Sequence, residues 1–346
     1  MNQLTQADLD YLVRGLMSRK HIYGAVFHVS SQPRGLELIS AAGEMTPDRP
    51  YYIASINKFF VSAVVLRLCA QQQMGLQDKL ADYLDADLIS GLHVYEGRDY
   101  SEEISIQHLL SQTSGLPCYL MDRQASGARA MDELEAGSDQ PWPVERVISI
   151  VKQMKLHFRP GDAGRAKYVD TNHQILGVVI EKVTGQPVEK VLASLFAELG
   201  MRSTFVCEQV GHDEFAPLYF KSRQVQIPQF LNSTQNDIIS TAKDQMVFLK
   251  AFFDGYFYPK DRLHELEKWN NIFFPFRYGV GVQKFHTPRI FSPFQSIPDM
   301  VGHCGSTGSV AFYVPDREVY ITGTINQQAS PNVSFQTMMR IIHKLG

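Results

Sequence analysis

The 346-residue sequence predicts an α+β fold: one antiparallel sheet built from both chain ends, flanked by terminal helices, with a mostly helical region inserted between. Three observations carry this expectation. Strand-like runs lie near both ends, helical periodicity dominates the middle, and an amphipathic or closing helix stands at each terminus. Residues 1–60 and 276–346 are expected to form the sheet region and residues 61–275 the mostly helical one. Together they make one catalytic unit, since the length suits one large domain or two intimate ones.

Taken in order, Leu9, Leu12, Val13, Leu16 and Met17 recur with helical period over residues 7–19. The runs Ala25–Val29 and Leu36–Ser40, separated by Gln32-Pro33-Arg34-Gly35, read as a hairpin. The segment after Ser55 is apolar almost all round (Phe59, Phe60, Val61, Ala63, Val64, Val65, Leu66), which marks a buried central helix. Residues 121–141 are polar and contain Gly127, Gly137 and Pro141, so they read as a surface excursion. Helices are predicted over Val144 to about Met154 and over His173–Thr184, the latter closed by Gly185 with Pro187 beyond. Strands return at Gly279–Lys284, Ser309–Val314 and Glu318–Thr324, and a helix over Ser334–Lys344 closes the chain.

Composition bounds the function. Hydrophobic residues make up 44%, charged residues 20%, and the formal net charge is −3. That balance argues against a nucleic-acid surface or a polybasic membrane patch. The apolar run Phe59–Ala70 is interrupted by Ser62 and Arg67 and is too short to span a bilayer. Cys69, Cys118, Cys207 and Cys304 are far apart and read as independent reduced thiols. With no basic-then-apolar leader at Met1–Asp8, the expected compartment is the cytoplasm, or the periplasm if a leader has been removed. No cofactor, metal, nucleic-acid or membrane partner is expected, and the oligomeric state is open.

The chemistry starts at Tyr51-Tyr52-Ile53-Ala54-Ser55-Ile56-Asn57-Lys58. Residues three apart share a helix face, so the Lys58 amine can reach the Ser55 hydroxyl. A serine needs a neighbouring base to become a nucleophile, and a Ser–Lys pair is one known solution. The first helical turn also offers unpaired N–H groups suited to an oxyanion. The pattern recurs at Ser149/Lys152 and Ser240/Lys243. Ser149 falls inside a helix, and Ser240-Thr241-Ala242-Lys243-Asp244 carries a capping signature. Only Ser55 stands between an extended run and an apolar helix.

Two further segments bear on the site. Lys167-Tyr168-Val169-Asp170-Thr171-Asn172 leads into a helix. Tyr168 could serve as a proton shuttle if nearby positive charge lowers its pKa, and Asp170 is expected to cap the helix. Val301-Gly302-His303-Cys304-Gly305-Ser306-Thr307-Gly308-Ser309 is a glycine-dense segment beside a strand, able to supply a second oxyanion N–H.

The order Ser-x-x-Lys, Tyr-x-Asp, His-x-Gly resembles the serine β-lactamase and penicillin-binding-protein superfamily, nearest its branch of class C β-lactamases, D-stereospecific peptidases and esterases. Ile104–Pro117 (Ile-Ser-Ile-Gln-His-Leu-Leu-Ser-Gln-Thr-Ser-Gly-Leu-Pro) is similar to the family's LLxHTSGLP segment. Asp170–Gly177 with Glu181–Gly185 resembles the helix that follows, and Ile239–Asp244 a late helix start. The likeness spans about residues 20–330. It implies a β-lactamase-like fold with Ser55 as acylated nucleophile, Lys58 as base, Tyr168 passing the proton to the leaving group, and His303 in place of the lysine of Lys-Thr-Gly. The N–H groups of Ser55 and Ser306 would form the oxyanion hole, and Asp170 and Gly305 would contact substrate. Histidine is mostly neutral above about pH 6.5, which weakens a carboxylate-bearing β-lactam or D-Ala-D-Ala substrate. Asp170, where the family has asparagine, would hold Lys58 protonated if it faces that amine. The expectation is therefore a serine esterase or D-amino-acid peptidase or amidase acting on a small ester, amide or peptide-like substrate, with β-lactam hydrolysis a side activity. Two alternatives stand beside it: a catalytically idle binding or sensing module, and a cysteine hydrolase using Cys304 and His303.

Overall fold

The computed structural model describes residues 4–207, 214–233, 237–289 and 297–345. Met1, Asn2 and Gln3 of the N-terminal segment read above lie outside them. The predicted hairpin forms β1 (Gly24–Ser31) and β2 (Leu36–Gly43), in register from Gly24 opposite Gly43 to Ser31 opposite Leu36. The other chain end supplies β3 (Asn270–Phe273), β4 (Phe276–Tyr278), β5 (Gln283–Phe285), β6 (Met300–Cys304), β7 (Val310–Val314) and β8 (Val319–Thr324). They join in the order β3-β4-β5-β6-β7-β8-β1-β2. Every neighbouring pair is antiparallel. The two chain ends meet where β8 lies on β1, with Val26 opposite Thr324.

Five helices position the site: α1 (Gln6–Gly15), α2 (Asn57–Ala70), α3 (Thr171–Thr184), α4 (Ala242–Phe253) and α5 (Asn332–Lys344). Successive strand residues face opposite sides of a sheet, and both sides here are covered. Val26 and Ala311 join the core of the helical region, while Phe27 and Phe312 join Leu9, Val13, Met338 and Ile341 beneath α1 and α5. β1 is consequently buried along its whole length. α2 is sheathed on all sides, as its composition predicts: every residue from Asn57 to Leu66 is buried. Phe60 stacks on Phe248 of α4 at 3.7 Å and Phe59 meets the same ring edge-on at 5.2 Å. Those contacts fix the helix that carries the Ser-x-x-Lys pair.

The structure departs from the sequence reading in three places. Of the expected strand Gly279–Lys284 only Gln283 and Lys284 are in a strand, which runs on to Phe285. Gly279–Val282 instead bends, Gly279 N donating to Val282 O, with Gly281 at φ +77°. A Cβ at Gly281 would come within 2.7 Å of Ser62 Cβ on α2, so this bend presses against the central helix. Strands β3, β4 and β6 were not foreseen. The polar excursion 121–141 contains a helix, Ala130–Ala136, that buries Ala130 and Leu134.

Candidate active site

Ser55 owes its place to a short strand and a strained turn. Tyr51 and Tyr52 pair with Ser240 and Ile239, and Ile53 N donates to Ile238 O at 3.2 Å. The chain then passes through Ala54 at φ +48° into a 3-10 turn, Ala54–Ile56, that feeds α2. A left-handed alanine costs energy and persists only where its surroundings hold it. Here it turns Ser55 out at the head of the helix, half-buried. One turn on, Lys58 Nζ donates to Ser55 Oγ at 3.1 Å. The other two Ser-x-x-Lys pairs are structural. Ser149 is exposed and Lys152 donates to Asp87 O at 2.7 Å. Ser240 bonds Thr204 at 2.8 Å, Lys243 pairs with Asp48 at 2.6 Å, and Thr241 caps α4 by accepting from Asp244 N at 3.1 Å.

Asp170 faces Lys58: Oδ1 lies 2.5 Å from Nζ, with both side chains nearly enclosed. Its other oxygen accepts from Cys118 Sγ at 3.2 Å. Asp170 stands at the N-cap position of α3, yet its side chain makes no cap bond, contrary to the expectation from sequence. The carboxylate is drawn to the buried ammonium, a stronger partner than a helix N–H. Burial alone would lower the Lys58 pKa, but the Asp170 charge and hydrogen bond outweigh it and leave it raised. Burial would likewise raise Asp170, and Lys58 overrides it, so its carboxyl sits below its ordinary value. At neutral pH the two form an ion pair.

The Tyr168 side chain reaches the Ser–Lys pair, with the Lys58 ammonium 5.5 Å from its ring centroid. Burial, then the Asp170 charge, push its pKa well above 10, so Tyr168 is a neutral phenol and the lowering on which a shuttle role was made conditional is not seen. A residue that sequence reasoning passed over holds this segment. Gln112 is fully buried and held at φ +62°. Its Oε1 accepts from Val169 N at 2.9 Å and Asn172 Nδ2 at 3.0 Å, and its carbonyl accepts from Lys167 N at 2.9 Å. Its only sequence signal was a place in the Leu-Leu-Ser-Gln-Thr-Ser-Gly motif.

His303 on β6 lies one layer behind the reacting groups, and it is not among the residues lining the cavity at Ser55. Nδ1 donates to Cys304 O at 2.8 Å, which leaves Nε2 to accept from Tyr278 OH at 3.1 Å. Its ring packs 6.1 Å from that of Tyr168. Burial, reinforced by the Lys58 charge, pushes its pKa down to about 3, so it is neutral. Cys304 Sγ donates to Gln283 Oε1 at 3.1 Å, and burial pushes its thiol up to about 12. With both His303 nitrogens engaged elsewhere, Cys304 and His303 form no thiol–imidazole pair, which removes the geometric basis of a cysteine hydrolase built on these two residues.

The glycine-dense turn after β6 is sewn to the Ser55 strand. Ser309 Oγ donates to Ile53 O at 2.7 Å and Thr307 Oγ1 to Tyr52 O at 3.1 Å. A Cβ at Gly305 would fall 2.4 Å from Ile53 O, so only glycine permits this approach. Ser55, Lys58, Tyr168, Asp170, Gly305 and Ser306 thereby line one cavity of about 320 Å³. Its walls include Leu120, just before the excursion 121–141, Met131 and Leu134 from within it, and Val225 and Ile227 from the 218–230 segment. Among the described residues, no cluster of three or more His, Cys, Asp or Glu side chains is gathered to hold a metal.

A family model described as Beta-lactamase matches residues 9–341. The chain is 28% identical over 207 residues to Esterase EstB of Burkholderia gladioli, covering 57% of this chain and 50% of that protein. It is 24% identical over 197 residues to Protein flp of Staphylococcus aureus (strain COL), covering 55% of this chain and 36% of that one. The matches thus span half or less of the length of these relatives. A D-stereospecific amidohydrolase from Streptomyces sp. superposes with a TM-score of 0.76 at 23% identity, over 96% of this chain and 98% of that chain, a likeness of fold.

Proposed function

The chain belongs to the β-lactamase family, and from that premise we propose that it is a serine hydrolase that forms an acyl-enzyme on Ser55 and cleaves an ester or amide. The observation that carries this reading is one buried chain of contacts: Ser55 Oγ to Lys58 Nζ at 3.1 Å, and Lys58 Nζ to Asp170 at 2.5 Å. The esterase and amidohydrolase relatives support an ester or amide substrate, with β-lactam hydrolysis at most a side activity.

The resting ammonium is not itself a base, so the pair acts as a unit. Closing a substrate over the site removes water, and a desolvated ion pair gains by becoming neutral. A proton passes from Lys58 to Asp170, and the freed amine takes the Ser55 proton as Oγ bonds to the carbonyl carbon. The N–H groups of Ser55 and Ser306 receive the oxyanion. Collapse breaks the bond to the leaving alcohol or amine. Tyr168 gives that group its proton and recovers one from Lys58, which recovers its own from Asp170. Water then repeats the sequence on the acyl-enzyme. His303 and Gln112 act by position, holding Tyr278, Tyr168 and Asp170.

Intact-mass measurement after treatment with a fluorophosphonate tests the reading. One adduct per chain is expected, and none in Ser55→Ala. No adduct with either a fluorophosphonate or a fluorescent penicillin would instead favour an idle binding module. Labelling kept in Ser55→Ala and lost in Cys304→Ala would move the chemistry to the thiol.

A further inference from the structure

Resting on the serine-hydrolase reading, we infer that the acyl half of the substrate is an uncharged apolar chain, and that the site turns away acyl groups ending in a carboxylate. Two observations carry it. The first is the make-up of the cavity walls. On one side the Tyr168 ring meets Phe273 at 6.2 Å, and Phe273 meets Phe276 at 5.3 Å. Since Tyr168 hands the leaving group its proton, that aromatic side receives the leaving group. The acyl chain is left the arm that the remaining apolar lining would form, Leu120, Met131, Leu134, Val225, Ile227 and Phe230. All of these but Met131 are buried. Each methylene placed there leaves water for an apolar wall.

The second observation is charge. Among the described residues lining the cavity, Lys58 is the one cation, and Asp170 already holds it at 2.5 Å. Asp170 and Asp237 both line the cavity as carboxylates. Asp237 Oδ1 accepts from Asn57 Nδ2 at 2.7 Å and from Tyr52 OH at 3.1 Å, which fixes that acid in the wall. His303 stands behind the cavity with its two nitrogens committed to Tyr278 and Cys304. An incoming carboxylate would lose its hydration and meet like charge, with no cation to receive it.

The test is a series of p-nitrophenyl esters of acetate, butyrate, hexanoate and octanoate on the wild-type protein. The adipate monoester serves as the charged match to hexanoate. The specificity constant kcat/KM is expected to climb by about fourfold per methylene until the arm is filled. Hexanoate is expected to exceed the adipate monoester by at least about thirtyfold. Leu134→Trp, which fills the arm, is expected to move the optimum to a shorter chain. If Ser55 takes no acyl group from any ester, the serine-hydrolase reading itself falls. If Ser55 is acylated but the profile is flat or falling beyond acetate, or the charged ester comes closer than that ratio, this inference alone is overturned. An optimum unmoved by Leu134→Trp overturns it equally.

Discussion

Lys58 sits between two oxygens with opposite demands: the Ser55 hydroxyl needs a free amine, and the Asp170 carboxylate keeps an ammonium. Removing Ser55 deletes the proposed nucleophile from this chain of contacts, so Ser55→Ala is expected to lower kcat by about 10³-fold or more on a p-nitrophenyl ester. His303 carries a stability consequence rather than a proton-transfer one. It is neutral in the folded protein down to about pH 3, against an ordinary value of 6.5. The folded pKa lies below the unfolded one, so the unfolded chain binds the extra proton first. The contribution of His303 is therefore intact above about pH 6.5 and is lost progressively as pH falls toward 3. Urea unfolding midpoints measured from pH 7 to 4 check this. The wild type is expected to fall more steeply with acid than His303→Gln, and parallel curves would contradict it.

At the scale of elements, the glycine turn and the excursion decide the site. Gly305 lets β6 and its turn lie against Ile53. In Gly305→Ala the new Cβ would sit 2.4 Å from Ile53 O and 2.3 Å from Ser309 Oγ, so the turn must retreat from Ser55. A misplacement of about 1 Å at a reacting centre costs on the order of 10²-fold. The fluorophosphonate labelling rate of Gly305→Ala is expected to fall by about that factor, while circular dichroism keeps the native signature. Much of this was legible in the sequence. The Ser55 junction followed from an aromatic extended run meeting an apolar helix, and the β6 turn from its glycines. The role of Met131 and Leu134 was hidden, because a polar composition conceals two side chains that point inward. Asp170 was misjudged as a cap because local rules know nothing of a lysine 112 positions away. The left-handed Ala54 left no trace at all, since alanine is not a residue that signals positive φ.

Across the whole molecule, the groups proposed to act on substrate hang from three separate anchors. Ser55 sits in the turn that feeds α2, and Lys58 rides on the first turn of α2 in the helical core. Tyr168 and Asp170 precede α3 and are held by Gln112 and Cys118, and Ser306 lies in the turn that follows β6. The two cores on either side of the sheet bring these pieces to one cavity, so the Lys58–Asp170 pair exists only in the assembled fold. In the proposed mechanism this pair, holding a single proton between them, serves as the base. That state is present from below the ordinary Asp value of 3.8 to above the ordinary Lys value of 10.5. Without the carboxylate, burial prevails and the Lys58 pKa falls, so the amine becomes a base only once it has lost its proton. The measurement is the pH dependence of the pre-steady-state rate of Ser55 acylation in the wild type and in Asp170→Asn, between pH 5 and 10. A wild-type rate level on its acid side, with a new acid limb appearing in Asp170→Asn, is the predicted result. A wild-type rate that climbs toward alkaline pH, with the limb moving lower in Asp170→Asn, would show Lys58 acting alone and contradict the account.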